Sequence, residues 1–251
     1  MIIVSRVAYI VWSCVGIAVT VSLLVAATMW GYMSRPTDVP CAALEYIITD
    51  SDERLYLSET ELTALLQQED IYPVGRKLNI VSLQRIENAI TRHPMVRTAE
   101  CYLTPRHVVR IKLTQRVPVL HVQTALENYY IDSDRKVMPS RNAIRDEVLL
   151  VTGTVGVQTA AGVMTDFAQW LDDEDYWKKR IHHVEIKSPQ MVYVYYADDD
   201  KIEKAVLGPM RNYERKLRKF RTFLQNCPPD IQEKNYTEYD LRFRGQVIGR
   251  Y

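Results

Sequence analysis

The stretch VAYIVWSCVGIAVTVSLLVAATMWGYMS, residues 7–34, determines how the rest of the chain is organised. It contains no charged residue, and an arginine flanks it on each side. About 20 mostly apolar residues are enough for a helix to cross about 30 Å of hydrocarbon. Trp12 and Trp30 lie near its ends, where aromatic rings favour the boundary between water and lipid. The pattern predicts a single N-terminal transmembrane helix over 7–34, preceded by a cytoplasmic tail of residues 1–6.

A cleaved secretory signal is the alternative to a permanent anchor. A cleavable signal has an apolar region of about 7–15 residues and a small-residue exit site. This run is longer, and Trp30-Gly31-Tyr32-Met33 is a poor cleavage site. A buried helix of a soluble domain would need a polar face, which this stretch lacks. We therefore expect an anchor in the cytoplasmic membrane, with the large part of the chain that follows it exported.

Composition limits the classes of function for the rest of the 251-residue chain. Hydrophobic residues make up 47% of the sequence, enough to build cores, and 32 basic residues nearly balance 31 acidic ones. The net charge therefore gives no indication of nucleic-acid binding. The four cysteines show neither a CxxC motif nor metal-ligand spacing. They are Cys14, Cys41, Cys101 and Cys227, and a disulfide among the last three is left open.

Residues 41–115 have the pattern of a small mixed domain. Ser58 and Glu61 form a capping box that starts a helix, and Ser82 caps a second helix that ends at His93-Pro94. Strands are predicted before and after this pair of helices, over 42–49, 98–103 and 109–114. Two helices can cover one face of such a three-stranded sheet.

Residues 116–251 predict a larger domain with a mixed β-sheet and flanking helices. Its predicted strands are 128–132, 148–152, 181–187, 191–196, 202–208 and 239–244, and its predicted helices are 161–171 and 213–226. The overall fold class is therefore α+β.

Five segments carry a resemblance to known families. The run from Val81-Ser82-Leu83 to His93-Pro94-Met95-Val96, with the closing Gln115-Arg116-Val117-Pro118-Val119, resembles a POTRA domain of β-α-α-β-β order. With Tyr130-Ile131-Asp132, a basic amphipathic helix and Asp240-Leu241-Arg242-Phe243 in the same order, the whole chain resembles the FtsQ/DivIB family of bacterial cell-division proteins.

The resemblance implies a function and a set of partners. It implies a non-enzymatic scaffold of the division machinery, at the division septum, that links early and late division proteins. The implied partners are FtsB/DivIC-like and FtsL-like membrane proteins, and the implied outcome is control of septal peptidoglycan synthesis. No cofactor, metal, nucleic acid or small-molecule substrate is expected. The alternative is a membrane-anchored POTRA module for outer-membrane protein assembly or secretion, and a third reading is an anchored cell-wall enzyme.

One turn departs from the family pattern. The family usually has a glycine after Tyr-Ile-Asp, whereas this chain has Ser133-Asp134-Arg135. Because aspartate tolerates the left-handed conformation, we expect Asp134 to take the place of that glycine.

The C-terminal strand is the candidate partner-binding site. In an extended strand, alternate side chains point to opposite faces: Tyr239, Leu241 and Phe243 to one, and Asp240, Arg242 and Arg244 to the other. If this strand lies at a sheet edge, a partner segment can add to it by β-augmentation. Arg242 could then hold a partner carboxylate and Phe243 could fill a pocket. An ordinary sheet strand with surface arginines is the alternative.

Motifs that suggest chemistry have simpler explanations. His182-His183 with Glu185 lacks a third metal ligand nearby, and Gly153-Thr154-Val155-Gly156 lacks the lysine of a phosphate loop. The acidic runs 172–175 and 198–200 lack the ligand spacing of a calcium loop. No nucleophile lies beside a base, so we expect no enzymatic activity. The helix with Arg211, Arg215, Lys216, Arg218, Lys219 and Arg221 either binds an acidic partner or is a solvated face.

Overall fold

A computed structural model describes residues 2–33, 39–49, 56–140, 148–198, 201–226, 228 and 236–251. The first helix, α1, covers Ile2–Met33. Within the described part of the chain, no helix is both long enough and apolar enough to cross a membrane. The segment predicted to span the membrane is therefore helical, but the span itself is not found.

The first domain, residues 39–115, has the predicted β-α-α-β-β order. Its sheet has the order β1-β3-β2, with β3 parallel to β1 and antiparallel to β2. Both helices pack their apolar faces on this sheet, which gives a core that includes Leu62, Ile86, Ile90 and Ile111. The elements are β1 Ala43–Ile48, α2 Glu59–Gln68, α3 Leu83–Thr91, β2 Val96–Leu103 and β3 Val108–Gln115.

Both predicted N-cap residues of this domain, Ser58 and Ser82, are confirmed. The hydroxyl of Ser58 accepts a hydrogen bond from the backbone N–H of Glu61 at 3.3 Å, and Ser82 does the same for Arg85 at 3.3 Å. Each bond satisfies one of the N–H groups that the first turn of a helix leaves unpaired. These short polar signals therefore set where both helices begin.

The second domain, from residue 116, is built on one nine-stranded sheet. Its order is β12-β11-β10-β9-β8-β7-β4-β5-β6, so β12 and β6 are the outermost strands among the described residues. Its strands are β4 Pro118–Gln123, β5 Asn128–Asp132, β6 Val137–Pro139, β7 Leu149–Gly153, β8 Ile181–Ser188, β9 Met191–Asp198, β10 Lys201–Val206, β11 Glu238–Asp240 and β12 Ile248–Arg250.

Helices cover this sheet and complete its core. Phe167, Trp177 and Phe220 are fully buried and pack with alternate strand residues such as Val184 and Val194. The helices are α4 Val157–Thr159, a π-helical turn Ala160–Met164, α5 Thr165–Asp173, α6 Asp175–Lys178 and α7 Tyr213–Asn226. Strands β4, β6 and β12 were not predicted, because each is short or lies among prolines and polar residues that give little periodic signal.

The two domains share a hydrophobic contact. Tyr130 and Met138, from β5 and β6, are buried in the core of the first domain, and Val148 packs beside them. The edge of the sheet formed by β6 is therefore joined to the first domain by apolar contacts.

The turn 132–136 adds charged contacts at this junction. Asp134 pairs with Arg97 of the first domain at 2.9 Å, while Arg135 pairs with Asp166 of α5 at 2.6 Å. The left-handed residue is Arg135, with φ 63°, and not Asp134 as predicted. The backbone N–H of Arg135 donates to the carbonyl of Asp132 at 3.0 Å, which closes the turn and places residue 135 in that conformation.

Candidate functional site

The segment 239–244, predicted as the partner-binding strand, is a strand only at its start. β11 ends at Asp240, and the chain then passes through a loop over 241–247 before β12. The side chain of Leu241 is fully buried, and Gly245, with φ 78°, lies in the turn that follows. The predicted strand is therefore correct for Tyr239 and Asp240 and wrong for the remaining four residues.

The six residues of the segment 239–244 differ in their solvent exposure. Tyr239, Asp240 and Leu241 are buried, whereas Phe243 is 44% exposed and Arg244 is exposed. Tyr239 packs its ring against Phe220 at 5.3 Å between centroids. The first half of the segment therefore belongs to the core, and the second half is accessible to a partner.

Asp240 is the electrostatic centre of this segment. Its carboxylate is 0% exposed and accepts hydrogen bonds from Arg242 Nε at 2.9 Å and Nη2 at 2.6 Å. Arg250 Nη2, from β12, lies 2.7 Å from the same carboxylate. The sequence prediction that Arg242 is free to hold a partner carboxylate therefore needs correction, because a carboxylate of the same chain already occupies its guanidinium.

These contacts change the titration of the carboxyl group. Burial alone raises the pKa of Asp240, but the hydrogen bonds from Arg242 and the charges of Arg242 and Arg250 outweigh it and lower the pKa below its usual range. Asp240 is thus an ionised group that joins the loop 241–247 to β12.

The open edge of the sheet is β12 and not β11. β11 pairs with β10 in parallel and with β12 in antiparallel orientation, so both of its sides are occupied. Among the described residues, β12 has β11 as its single neighbour. The backbone groups on the outer side of Ile248–Arg250 are therefore those that a further strand could pair with.

Two lysines of helix α7 point inward, one to the segment after β10 and the other to the loop 241–247. Lys216 Nζ donates to the carbonyls of Leu207 at 2.8 Å and Pro209 at 2.7 Å. Lys219 Nζ donates to the carbonyls of Phe243 at 2.7 Å and Gln246 at 2.5 Å. Burial and then neighbouring cations lower the pKa of Lys216 to about 8. Lys216 and Lys219 were predicted to lie on the outer face of α7, but both bind main-chain carbonyls instead.

The other basic residues of α7 have different surroundings. Arg218 lies within 4.0 Å of the carboxylates of Glu174 and Glu214, and Arg221 stacks over the ring of Tyr176 at 4.9 Å. Arg215 has no ion pair among the described residues. The helix is therefore neither a uniform basic face nor a fully solvated one.

A groove of about 290 Å³ separates α7 from the loop. Its lining carries five cations and the ring of Phe243, and no acidic side chain belongs to the described lining. Its residues are Arg215, Lys216, Lys219, Leu241, Arg242, Phe243, Arg244 and Gly245. A groove with one exposed aromatic ring and several positive charges suits an acidic segment that carries apolar side chains.

Sequence reasoning missed the backbone contacts that hold this groove. Gly208, with φ 71°, has no side chain, and a Cβ there would lie 2.7 Å from Cγ of Arg242. The available signal for this close approach was a glycine two residues after the end of β10. The inward direction of Lys216 and Lys219 had no such signal, since each directly follows an arginine of the same helix and charge alone does not distinguish the two.

The other motifs are engaged in local contacts. His183 Nε2 lies 2.8 Å from the hydroxyl of Thr152, and Glu185 accepts a hydrogen bond from Tyr195 at 2.7 Å. Within the described ranges, no group of three or more His, Cys, Asp or Glu residues is placed to hold a metal ion. Cys41 and Cys101 are free thiols, while Cys227 and the side chain of Cys14 lie outside the described residues.

The fold and the site together define a two-domain α+β protein, in which a small β-α-α-β-β domain packs against a large mixed sheet. Comparison with protein families gives the same division: residues 39–114 match a POTRA-like domain. Residues 117–250 match the family described as FtsQ/DivIB, C-terminal related, over more than half of the chain. The chain therefore belongs to the FtsQ/DivIB family, with a POTRA-like domain, as its motifs predicted. A search among curated proteins returned no match.

Proposed function

We propose that this chain is a scaffold of bacterial cell division that binds an FtsB/DivIC-like protein, with an FtsL-like protein alongside. Its family domains suggest the scaffold role. In this proposal the protein links early and late division proteins without catalysing a reaction. It thereby controls when septal peptidoglycan synthesis takes place.

One observation carries the choice of site: the open edge of β12 lies in the same C-terminal hairpin as the exposed ring of Phe243. β-augmentation uses main-chain hydrogen bonds for affinity and nearby side chains for specificity. The edge Ile248–Arg250 offers the main-chain groups, and the groove beside α7 offers Phe243, Arg215 and Arg244. The partner-binding surface is thus moved from the predicted strand 239–244 to β12 and the loop before it.

Binding of the full-length protein, purified in mild detergent, to the FtsB/FtsL-like pair of the same organism tests this proposal. Phe243→Ala removes the exposed ring, and we expect a loss of about 2 kcal/mol, roughly thirty-fold in affinity. Arg244→Glu reverses an exposed charge at the groove and should slow association.

Two control variants make the same chemical changes elsewhere. Leu126→Ala removes a side chain that is 95% exposed at the tip of the β4–β5 hairpin, and Arg106→Glu reverses an exposed charge in the first domain. Neither change should alter binding. Tight binding that survives both groove variants would place the partner elsewhere, and absence of any binding would favour the alternative of a POTRA module for outer-membrane assembly or secretion.

Amide hydrogen exchange distinguishes strand addition from side-chain docking. If a partner strand pairs with β12, amide exchange in 248–250 slows in the complex, while exchange at Val137 and Met138 of the opposite edge stays unchanged. Unchanged exchange in β12 would contradict β-augmentation even if the affinity is high.

The proposed location is the extracytoplasmic face of the cytoplasmic membrane, at the septum. It is supported by the uncharged stretch 7–34 and by the exposure of the described apolar side chains of α1, which water solvates poorly. Protease added to intact spheroplasts should digest the two domains. Protection of both domains from the protease would contradict this location.

A further inference from the structure

The ammonium group of Lys219 is surrounded by main-chain carbonyls of one loop. It lies 2.7 Å from the carbonyl oxygen of Phe243, 2.5 Å from that of Gln246 and 3.3 Å from that of Leu241. A lysine ammonium has three N–H donors and no acceptor, so these three oxygens can use its full donor capacity. The loop 241–246 is therefore folded around a single side chain of α7.

The start of the same loop is fixed independently. The backbone N–H of Arg242 donates to Asp240 Oδ1 at 3.1 Å, and the Arg242 side chain packs on Gly208, where no Cβ is present. The backbone is thus held immediately before Phe243 by Asp240, and at Phe243 itself by Lys219.

Phe243 combines a fixed backbone with an exposed ring. Its ring is 44% exposed, and apolar side chains of a flexible loop lose conformational freedom when a partner orders them. A loop that is already ordered avoids most of that entropy loss. The contacts of Asp240 and Lys219 with the loop backbone therefore favour binding, because they keep Phe243 in place.

We infer that Lys219 is a positioning residue, which holds Phe243 in its binding conformation through the loop carbonyls that its ammonium group binds. The inference rests on the proposed function, since it assumes that Phe243 meets the partner. Lys219→Met keeps most of the side-chain length and removes all three donors. We expect it to weaken binding about ten-fold, with faster amide exchange at 242–246 in the unbound protein.

A double-mutant cycle separates positioning from contact. The full-length protein is compared with Lys219→Met, Phe243→Ala and the double variant, in calorimetric titrations with the FtsB/FtsL-like pair. If Lys219 acts through Phe243, its substitution should change affinity less than two-fold when Phe243 is already alanine. Arg221→Met, which removes a cation from the same helix, should leave affinity unchanged, and circular dichroism verifies that each variant is folded.

The outcomes distinguish failure of this inference from failure of the proposed function. A ten-fold loss from Lys219→Met in both backgrounds would overturn the positioning role, because Lys219 would then act independently of Phe243. Unchanged amide exchange at 242–246 would overturn it as well. Full affinity of Phe243→Ala would instead overturn the proposed binding surface itself, together with the role that Lys219 has in it.

Discussion

The two edges of the nine-stranded sheet are completed in opposite ways. At one edge, β6 places Met138 in the core of the first domain, with Tyr130 of β5 beside it. At the other edge, the short strand β12 has β11 as its single described neighbour. Exposed edges present unpaired N–H and C=O groups and tend to recruit further strands. The β6 edge, the covered one, therefore packs against the first domain, whereas β12 is the edge that our proposal assigns to a partner.

The two edges also differ in what holds them. Apolar packing joins β6 to the first domain, while a chain of charged contacts joins β12 to the sheet. Glu238 lies 3.1 Å from Lys204 and 3.5 Å from Arg250, and Arg250 also pairs with Asp240. Buried apolar contacts respond to loss of volume, and partly exposed ion pairs respond to charge and pH. Each edge can therefore be weakened selectively.

The largest effect is expected at the covered edge. Met138→Ala leaves a cavity in a fully packed site, and we expect the free energy of unfolding to fall by about 3 kcal/mol. Ile248→Ala at the open edge should change it by less than about 1 kcal/mol, because Ile248 is only half-buried. Urea unfolding measures both values, and equal losses would remove the contrast between the two edges.

A smaller effect is expected from Asp240→Asn at the open edge. The substitution leaves two arginines without their carboxylate, and because both are partly exposed we expect a loss of about 2 kcal/mol. Asp166→Asn removes an exposed partner of Arg135 and should be nearly neutral. If thermal unfolding shows the same loss for both variants, burial of Asp240 does not strengthen its ion pairs.

Acid should weaken the open edge by part of that amount. The pKa of Asp240 is lower in the folded protein than in the unfolded chain, so its contribution is complete above the unfolded value of about 3.9. It is lost as the pH falls through the folded pKa. The stability difference between the native protein and Asp240→Asn should therefore shrink below about pH 4. If this stability difference stays constant from pH 6 to pH 2.5, the predicted pH dependence is wrong.

The smallest effect concerns the turn at the covered edge. Arg135 has φ 63°, a conformation that is unfavourable for residues with a Cβ. Arg135→Gly and Arg135→Ala both remove the ion pair with Asp166. Because glycine adopts this conformation without strain, the glycine variant should be more stable than the alanine variant by about 1 kcal/mol. Thermal melts of the two variants compare them directly. If the alanine variant is as stable as the glycine variant, the turn carries no backbone strain.

Much of the fold followed from local patterns. Ser58 and Ser82 predicted the starts of α2 and α3, and alternation in 109–114 predicted β3. The amphipathic pattern of 213–226 predicted α7 with its bounds. These elements were predictable because capping bonds and side-chain periodicity act over a few residues.

The candidate site was less predictable. The sequence pointed to the C-terminal segment 239–244, but it assigned an extended strand to 241–244 and a partner carboxylate to Arg242. Both errors have the same cause, since the burial of Leu241 and the pairing of Arg242 with Asp240 depend on where β10, β12 and α7 lie. An arginine two residues from an aspartate has no local signal that distinguishes an internal pair from a free one.

By itself, the sequence determined the family, the order β-α-α-β-β of the first domain and the mixed character of the second. The tertiary structure alone decided which edge of the sheet is open, which cations of α7 turn inward, and that Arg135 takes the left-handed position. The first group depends on residues close together in the chain, where propensity, capping and periodicity act. The second group depends on contacts between residues far apart, such as Lys219 with Gln246, which exist only once the sheet, α7 and the C-terminal loop are packed together.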